Sequence, residues 1–452
     1  WNGDGVAQDY HTAIQWRKNL VNWYQQASAD GKAYSARKRQ EQLQALTALC
    51  EDLCELGMYR DALFYAQQLA DTAEQLTGES RSAETAAAYD QLGRILSLLG
   101  SYQEAAQLYK KLCLSAKIRY EEASRKLRAF LHTPGCTAAN ARRKLAVLKN
   151  ELYILSLGYE RLGSALYEMW DLEAAETSFR NALQIRETLY DQQQTRETAE
   201  GVAFLQTALG SLMLRKNDPA AAAEWYSKTA VLWQRARQSA DGIPERRAYG
   251  EALLGWGKAL LLQQEMDDAE TISQKALRLF QEQAERYRTL ECIRSYSAAL
   301  NLCGRIAEAK ADYPAASRYY TVSLECRRDL LKHFTSNGGI YDCALSRMLL
   351  AQVEHLQGLN RPAKQGYDEV LQMLRPLLPK DQNQSWHLLF SQAAFERFQL
   401  DTFSGDPYLQ DAIRAEAWLA EHMPGEAART EHRNLQERYT RVHRRCYPTT
   451  RS

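Results

Sequence analysis

Along most of the 452-residue chain, apolar positions recur at intervals of three and four, the spacing that lines one face of an α-helix. Five such stretches align with one another: "YERLGSALYEMWDLEAAETSFRNAL" (159–183), "ALGSLMLRKNDPAAAAEWYSKTA" (208–230), "GWGKALLLQQEMDDAETISQKAL" (255–277), "LCGRIAEAKADYPAASRYYTVSL" (302–324) and "LLAQVEHLQGLNRPAKQGYDEVL" (349–371). A small residue stands in the first half of each, at Gly163, Gly210, Gly257, Gly304 and Ala351, and a partner alanine in the second, at Ala175, Ala222, Ala269, Ala316 and Ala363. Both series step by 47 residues without slippage. Four positions past each alanine comes Phe179, Tyr226, Ser273, Tyr320 or Tyr367. The pattern predicts antiparallel helix pairs brought close by small residues, with a ring filling the groove, each pair stacking on the next.

Two earlier segments fit the same template, "LCEDLCELGMYRDALFYAQQL" (49–69), centred on Ala62, and "LGRILSLLGSYQEAAQLYKKL" (92–112), with Gly93 and Ala105. The latter, together with "ERLGSALYEMWDLEAAETSFRNALQI", resembles the tetratricopeptide repeat, which places L-G in the first helix, G-x-Y-x-x-A at the opening of the second, and then an aromatic residue. The period exceeds the common one of about 34, and the proline that usually closes the repeat is mostly absent, so the chain is similar to the long-repeat variety. The resemblance implies an all-α fold, a right-handed α-solenoid of antiparallel helix pairs, with about seven pairs over residues 36–385.

Three stretches depart from this period. Between Ala105 and Ala175 the step is 70 residues, so residues 119–151, "RYEEASRKLRAFLHTPGCTAANARRKLAVLKNE", are extra. They read as two basic helical arms around the turn "HTPG" (132–135), either a finger on one edge of the solenoid or merely longer helices. Residues 386–452 form a degenerate pair and a capping helix. Residues 1–35 open with "WNGDGVAQDYHTAIQW". Its glycines lack both the strand of a dinucleotide fingerprint and the closing glutamate of a calcium loop. Instead Gly3, Gly5, Val6, Asp9, Tyr10, Ala13 and Trp16 resemble a Sel1-like half repeat, with Asp9 placed to cap the helix on which Ala13 and Trp16 pack. A chain beginning at Trp1 in half a repeat is expected to be a fragment.

Composition narrows the chemistry. Lysine and arginine total 57 against 56 acidic residues, so no global field draws nucleic acid, which is not an expected partner. The nine cysteines, at 50, 54, 113, 136, 292, 303, 326, 343 and 446, never form C-x-x-C and read as reduced core residues of a cytoplasmic protein. No run reaches the roughly 18–20 apolar residues a membrane helix needs. Phosphate loops, zinc motifs and nucleophile elbows are missing, and "SARK" (35–38) is an unaccompanied match to S-x-x-K. No catalytic residue, metal or cofactor is expected, and the basic "RTEHRNLQERYTRVHRRCYPTTRS" (429–452) reads as a solvated terminal helix.

By the geometry the resemblance implies, the inner helices turn certain positions toward a groove. Its candidate lining is Asp90, Arg94, Glu160, Tyr167, Arg215, Lys258, Asn301, Arg305, Glu308 and His355. The set is polar and of mixed sign, without the Lys/Asn/Arg combination that clamps a C-terminal carboxylate. The expected function is a non-catalytic interaction scaffold or sensor module that binds a protein or peptide segment on the solenoid surface, within a larger bacterial signalling or defence protein; self-association stays open. The alternative is an intracellular receptor for a small signalling peptide, resembling the pheromone-responsive tetratricopeptide regulators. Those carry an N-terminal DNA-binding or phosphatase-like domain, and residues 1–40 supply neither pattern.

Overall fold

The computed structural model describes residues 10–29, 36–77, 82–133, 137–239, 242–333, 336–379, 383–423 and 425–447. The regular elements among them are helices, and they follow one another as antiparallel pairs. After α1 (Tyr10–Ala29), residues 1–205 hold α2 (Ala36–Glu55) with α3 (Tyr59–Thr77), α4 (Ala83–Leu98) with α5 (Tyr102–Leu131), α6 (Ala138–Glu168) with α7 (Leu172–Gln192), and the start of α8 (Arg196–Arg215). Residues 206–452 form a second compact unit. It takes the rest of α8, then α9 (Pro219–Ser239), α10 (Ile243–Leu262) with α11 (Met266–Tyr287), α12 (Leu290–Ala309) with α13 (Tyr313–His333), and α14 (Asn337–Leu356) with α15 (Asn360–Leu374). The unit closes with α16 (Gln384–Gln399), α17 (Asp406–His422) and α18 (Glu426–Cys446).

Small residues and rings meet as the spacing predicts. A Cβ on Gly93 would lie 2.6 Å from the Tyr109 ring, on Gly163 2.7 Å from Phe179, on Gly210 2.9 Å from Tyr226 and on Gly304 2.4 Å from Tyr320. Where the ring is replaced by Ser273, Gly257 faces the hydroxyl at 2.4 Å. Each ring therefore lies against bare helix backbone, and Tyr109 and Tyr320 are fully buried. Burying such a ring withdraws about 150–250 Å² from water, worth on the order of 4–6 kcal/mol before ordering costs. Tyr226 also touches Gly255, so one ring serves two first helices in succession.

The turns inside the pairs have a period of their own. Trp170, Asn217, Gln264 and Ala311 have φ of 62°, 59°, 63° and 59°, and Gly358 continues the series at 75°. All five are 47 residues apart. Each follows the end of a first helix, and the next residue's N–H reaches back to close the helix, as Asp171 N to Leu166 O at 3.0 Å and Asp218 N to Met213 O at 2.9 Å. Asp171, Asp218 and Asp312 then cap the second helix, accepting from the backbone N–H of Ala174, Ala221 and Ala315 at 3.3, 3.0 and 3.0 Å.

Residues 119–131 continue α5 and residues 138–151 open α6. α5 and α6 run to 30 and 31 residues, yet their buried residues stop at Ala116 and resume at Glu151, with none between among the described residues. At the base, Arg119 donates to Glu151 at 2.8 Å, to the Ser82 carbonyl at 2.9 Å and to the Ser115 hydroxyl at 2.9 Å. This half-buried clasp ties both helices to the start of α4.

The amino-terminal expectation is only partly reachable. Gly3, Gly5, Val6 and Asp9 of the proposed half repeat lie outside the described residues, as does Cys136. One detail is corrected: Trp16 is 72% exposed. Ile14, Val21 and Tyr24 form the buried face of α1, with Arg17 paired to Asp52, and Trp16 lies on the opposite side of the helix. Of the other cysteines, 50, 113, 292, 303 and 343 are free and buried, Cys54 and Cys326 are half-buried, and Cys446 is exposed.

Candidate functional site

The predicted groove residues divide into those satisfied inside the protein and those facing solvent. In residues 1–205, Glu160 is buried and pairs with the buried Arg186 at 3.3 Å. The Arg186 guanidinium lies 4.3 Å from the centre of the Tyr153 ring, and Gly201 leaves the room it needs, since a Cβ there would stand 2.9 Å from the guanidinium. Burial pushes the Glu160 carboxyl above its ordinary range, opposed by Arg186 and Arg161. Asp90 sits 3.4 Å from Arg161, and burial likewise raises its carboxyl against the pull of Arg161 and Arg94. Tyr167 is half-buried, whereas Arg94 is exposed.

In residues 206–452 the same division appears. Asn301 is 8% exposed, and its amide donates to Ser346 at 3.2 Å while Ser346 and Ser323 stand 3.0 Å apart. Its hydrogen-bonding capacity is directed inward, to the next first helix. Glu308 accepts from the Tyr320 hydroxyl at 3.0 Å, so it anchors the ring in its notch. His355 stands 3.8 Å from Glu396, whose carboxyl is raised by burial and lowered by His355. Arg215 is half-buried.

Lys258 and Arg305 differ from these. Both are exposed, on the successive first helices α10 and α12. Lys258 nevertheless has its ammonium held below the ordinary lysine range, first by desolvation and then by the positive charge of Arg305. No carboxylate among the described residues contributes to the shift. The result is a like-charged pair, partly desolvated, in reach of solvent.

Sequence reasoning missed the groups that do the internal pairing. Arg186 and Arg327, both buried in second helices, are 141 residues apart, three full periods, so the signal was present. Arg327 meets Asp342 at 3.1 Å. Arg347, also buried, is held by Glu369 at 2.9 Å, Glu354 at 3.1 Å and the Pro362 carbonyl at 3.2 Å, against Gly366. Glu396 falls where the repeat pattern has faded. Among the described residues no group of His, Cys, Asp or Glu is arranged to hold a metal ion, and no helix is long and apolar enough to cross a membrane.

No protein-family model matches the chain, and no curated protein matches it in sequence. Solved structures similar to it include BtubC (BKLC) from P. vanneervenii, at 16% identity and a TM-score of 0.41, covering 58% of this chain and 92% of that one. Another is RapI in its apo form, at 13% identity and a TM-score of 0.44, covering 92% of this chain and 99% of that one. A third is a Rap protein complexed with Competence and Sporulation Factor, at 10% identity and a TM-score of 0.44, covering 90% and 99%. The assignment of an all-α stack of helix pairs rests on the helices and their packing, not on these likenesses.

Proposed function

We propose that the protein is a non-catalytic interaction module that binds an acidic protein or peptide segment along the first helices of residues 206–452. The observation that carries this reading is that Lys258 and Arg305 are both exposed on successive first helices and neither has an ion pair among the described residues. Crowding a lysine against an arginine and partly desolvating it is unfavourable in isolation, and a carboxylate arriving from outside relieves both costs. The other predicted lining residues, Glu160, Asn301 and Glu308, already have internal partners and act as scaffold. Charge-assisted hydrogen bonds from the two cations to a partner's Asp, Glu or terminal carboxylate supply the recognition. Arg94 and His355 extend the candidate surface within their own units. Membership of a larger bacterial signalling or defence protein belongs to the same proposal.

An array of peptides graded in Asp and Glu content, probed with wild type and with Lys258→Glu/Arg305→Glu, tests the reading. Wild type is expected to select acidic peptides, and the double variant to lose them by about a hundredfold, a cost of about 3 kcal/mol consistent with two charge-assisted contacts. Equal binding by both proteins, or no preference for acidic sequences, would overturn it.

A further inference from the structure

We infer that the projecting arms of α5 and α6 dock on the phosphate backbone of a nucleic acid. Residues 123–150 hold seven lysines and arginines, at 125, 126, 128, 142, 143, 144 and 149, and no acidic residue. The near-neutral total conceals this segregation. Outside these 28 residues the chain has 50 basic against 56 acidic residues, so a positive arm stands on a body of opposite net charge.

The structure places that charge where a polyanion can reach it. Arg125, Lys126, Arg128, Arg142 and Arg143 are exposed, and no residue from 117 to 150 is buried among those described. Lys126 lies 3.9 Å from Glu122 and Lys144 lies over the Phe130 ring. Among the described residues Arg125, Arg128, Arg142, Arg143 and Lys149 have no carboxylate within ion-pairing distance. From Ala138 to residue 150 the α6 arm is about 20 Å long at 1.5 Å per residue, enough to track several phosphates of a duplex. Exposed Ala129, Ala139 and Ala146 among the cations let the helix backbones approach a sugar-phosphate surface.

The arrangement of apolar residues selects the class of partner. Leu145 and Val147 are 42% and 51% exposed, but two helical positions apart they point to opposite flanks of α6, and Leu131 sits at the end of α5. They make no continuous apolar stripe of the kind that a lipid surface or a partner helix buries. The cations, by contrast, surround both arms, which suits a backbone read by charge and not by sequence.

The test uses the whole chain and fluorescence anisotropy with labelled duplex DNA, duplex RNA and single strands of about 30 nucleotides, between about 50 and 200 mM salt. Binding is expected to weaken about a hundredfold across that range if about four of the cations engage phosphates. Arg128→Glu/Arg142→Glu/Arg143→Glu should weaken it at least tenfold while the thermal midpoint holds. The milder glutamine triple variant should fall between, and the exposed control Lys228→Glu should bind as wild type. No binding to any of the nucleic acids at the lowest salt would overturn the inference. So would binding that ignores salt or survives the triple reversal, or capture through this arm by phosphatidylserine vesicles and not by nucleic acid.

Discussion

At the scale of single residues, the repeat is held by two devices, a notch and a turn. Tyr320 cannot retreat from a methyl group on Gly304, because its ring is fully buried and its hydroxyl is fixed to Glu308. Gly304→Ala should therefore destabilise the protein by about 1–3 kcal/mol in urea unfolding, although alanine is the better helix former. The equivalent pair Ala351–Tyr367 already accommodates a methyl group, and the buried Tyr367 hydroxyl has no hydrogen-bond partner among the described residues. In the turn, Gln264 and Ala311 hold φ near 60° with a side chain that disfavours it. Gln264→Gly and Ala311→Gly should each stabilise by up to about 1 kcal/mol, read as a higher urea midpoint. The notch was legible in the sequence because it repeats a residue type. The turn was not, since Trp, Asn, Gln, Ala and Gly share a backbone angle and nothing else.

At the scale of elements, the closing helices contain a titrating stack. His387 of α16 lies parallel to Trp418 of α17 at 3.6 Å, and Trp418 to His422 at 4.2 Å. His387 is 6% exposed, and burial, helped by His422, holds its imidazole down to about 4 from an ordinary value of 6.5. A histidine lowered on folding contributes its full stability above 6.5 and loses it as pH falls from there toward 4, because the unfolded chain binds the proton first. The thermal midpoint should fall more steeply between about pH 6.5 and 5 in wild type than in His387→Phe, which keeps a ring on Trp418. Parallel pH profiles would contradict this. Neither the stack nor the α5–α6 projection was fixed by periodicity: the first joins residues 31 apart in the degenerate region, and the second depended on where burial stops.

At the scale of the molecule, periodic small residues specify a stack of helix pairs, and the irregular polar residues between them decide what the stack does. Sequence alone marked ten groove positions by register, yet it could not separate those that face a partner from those that face a neighbouring helix. Glu160, Asn301 and Glu308 found internal partners through Arg186, Ser346 and Tyr320, whereas Lys258 and Arg305 remained open beside each other. The proposed binding of an acidic partner rests on that exposed pair. Its most direct test is co-purification from native extract, with each bound protein quantified for wild type, Lys258→Glu/Arg305→Glu and an exposed control, Lys228→Glu. A partner should be retained by wild type and the control and reduced at least tenfold in the double variant, with all three proteins equally folded. An unchanged set of partners across the three would contradict it.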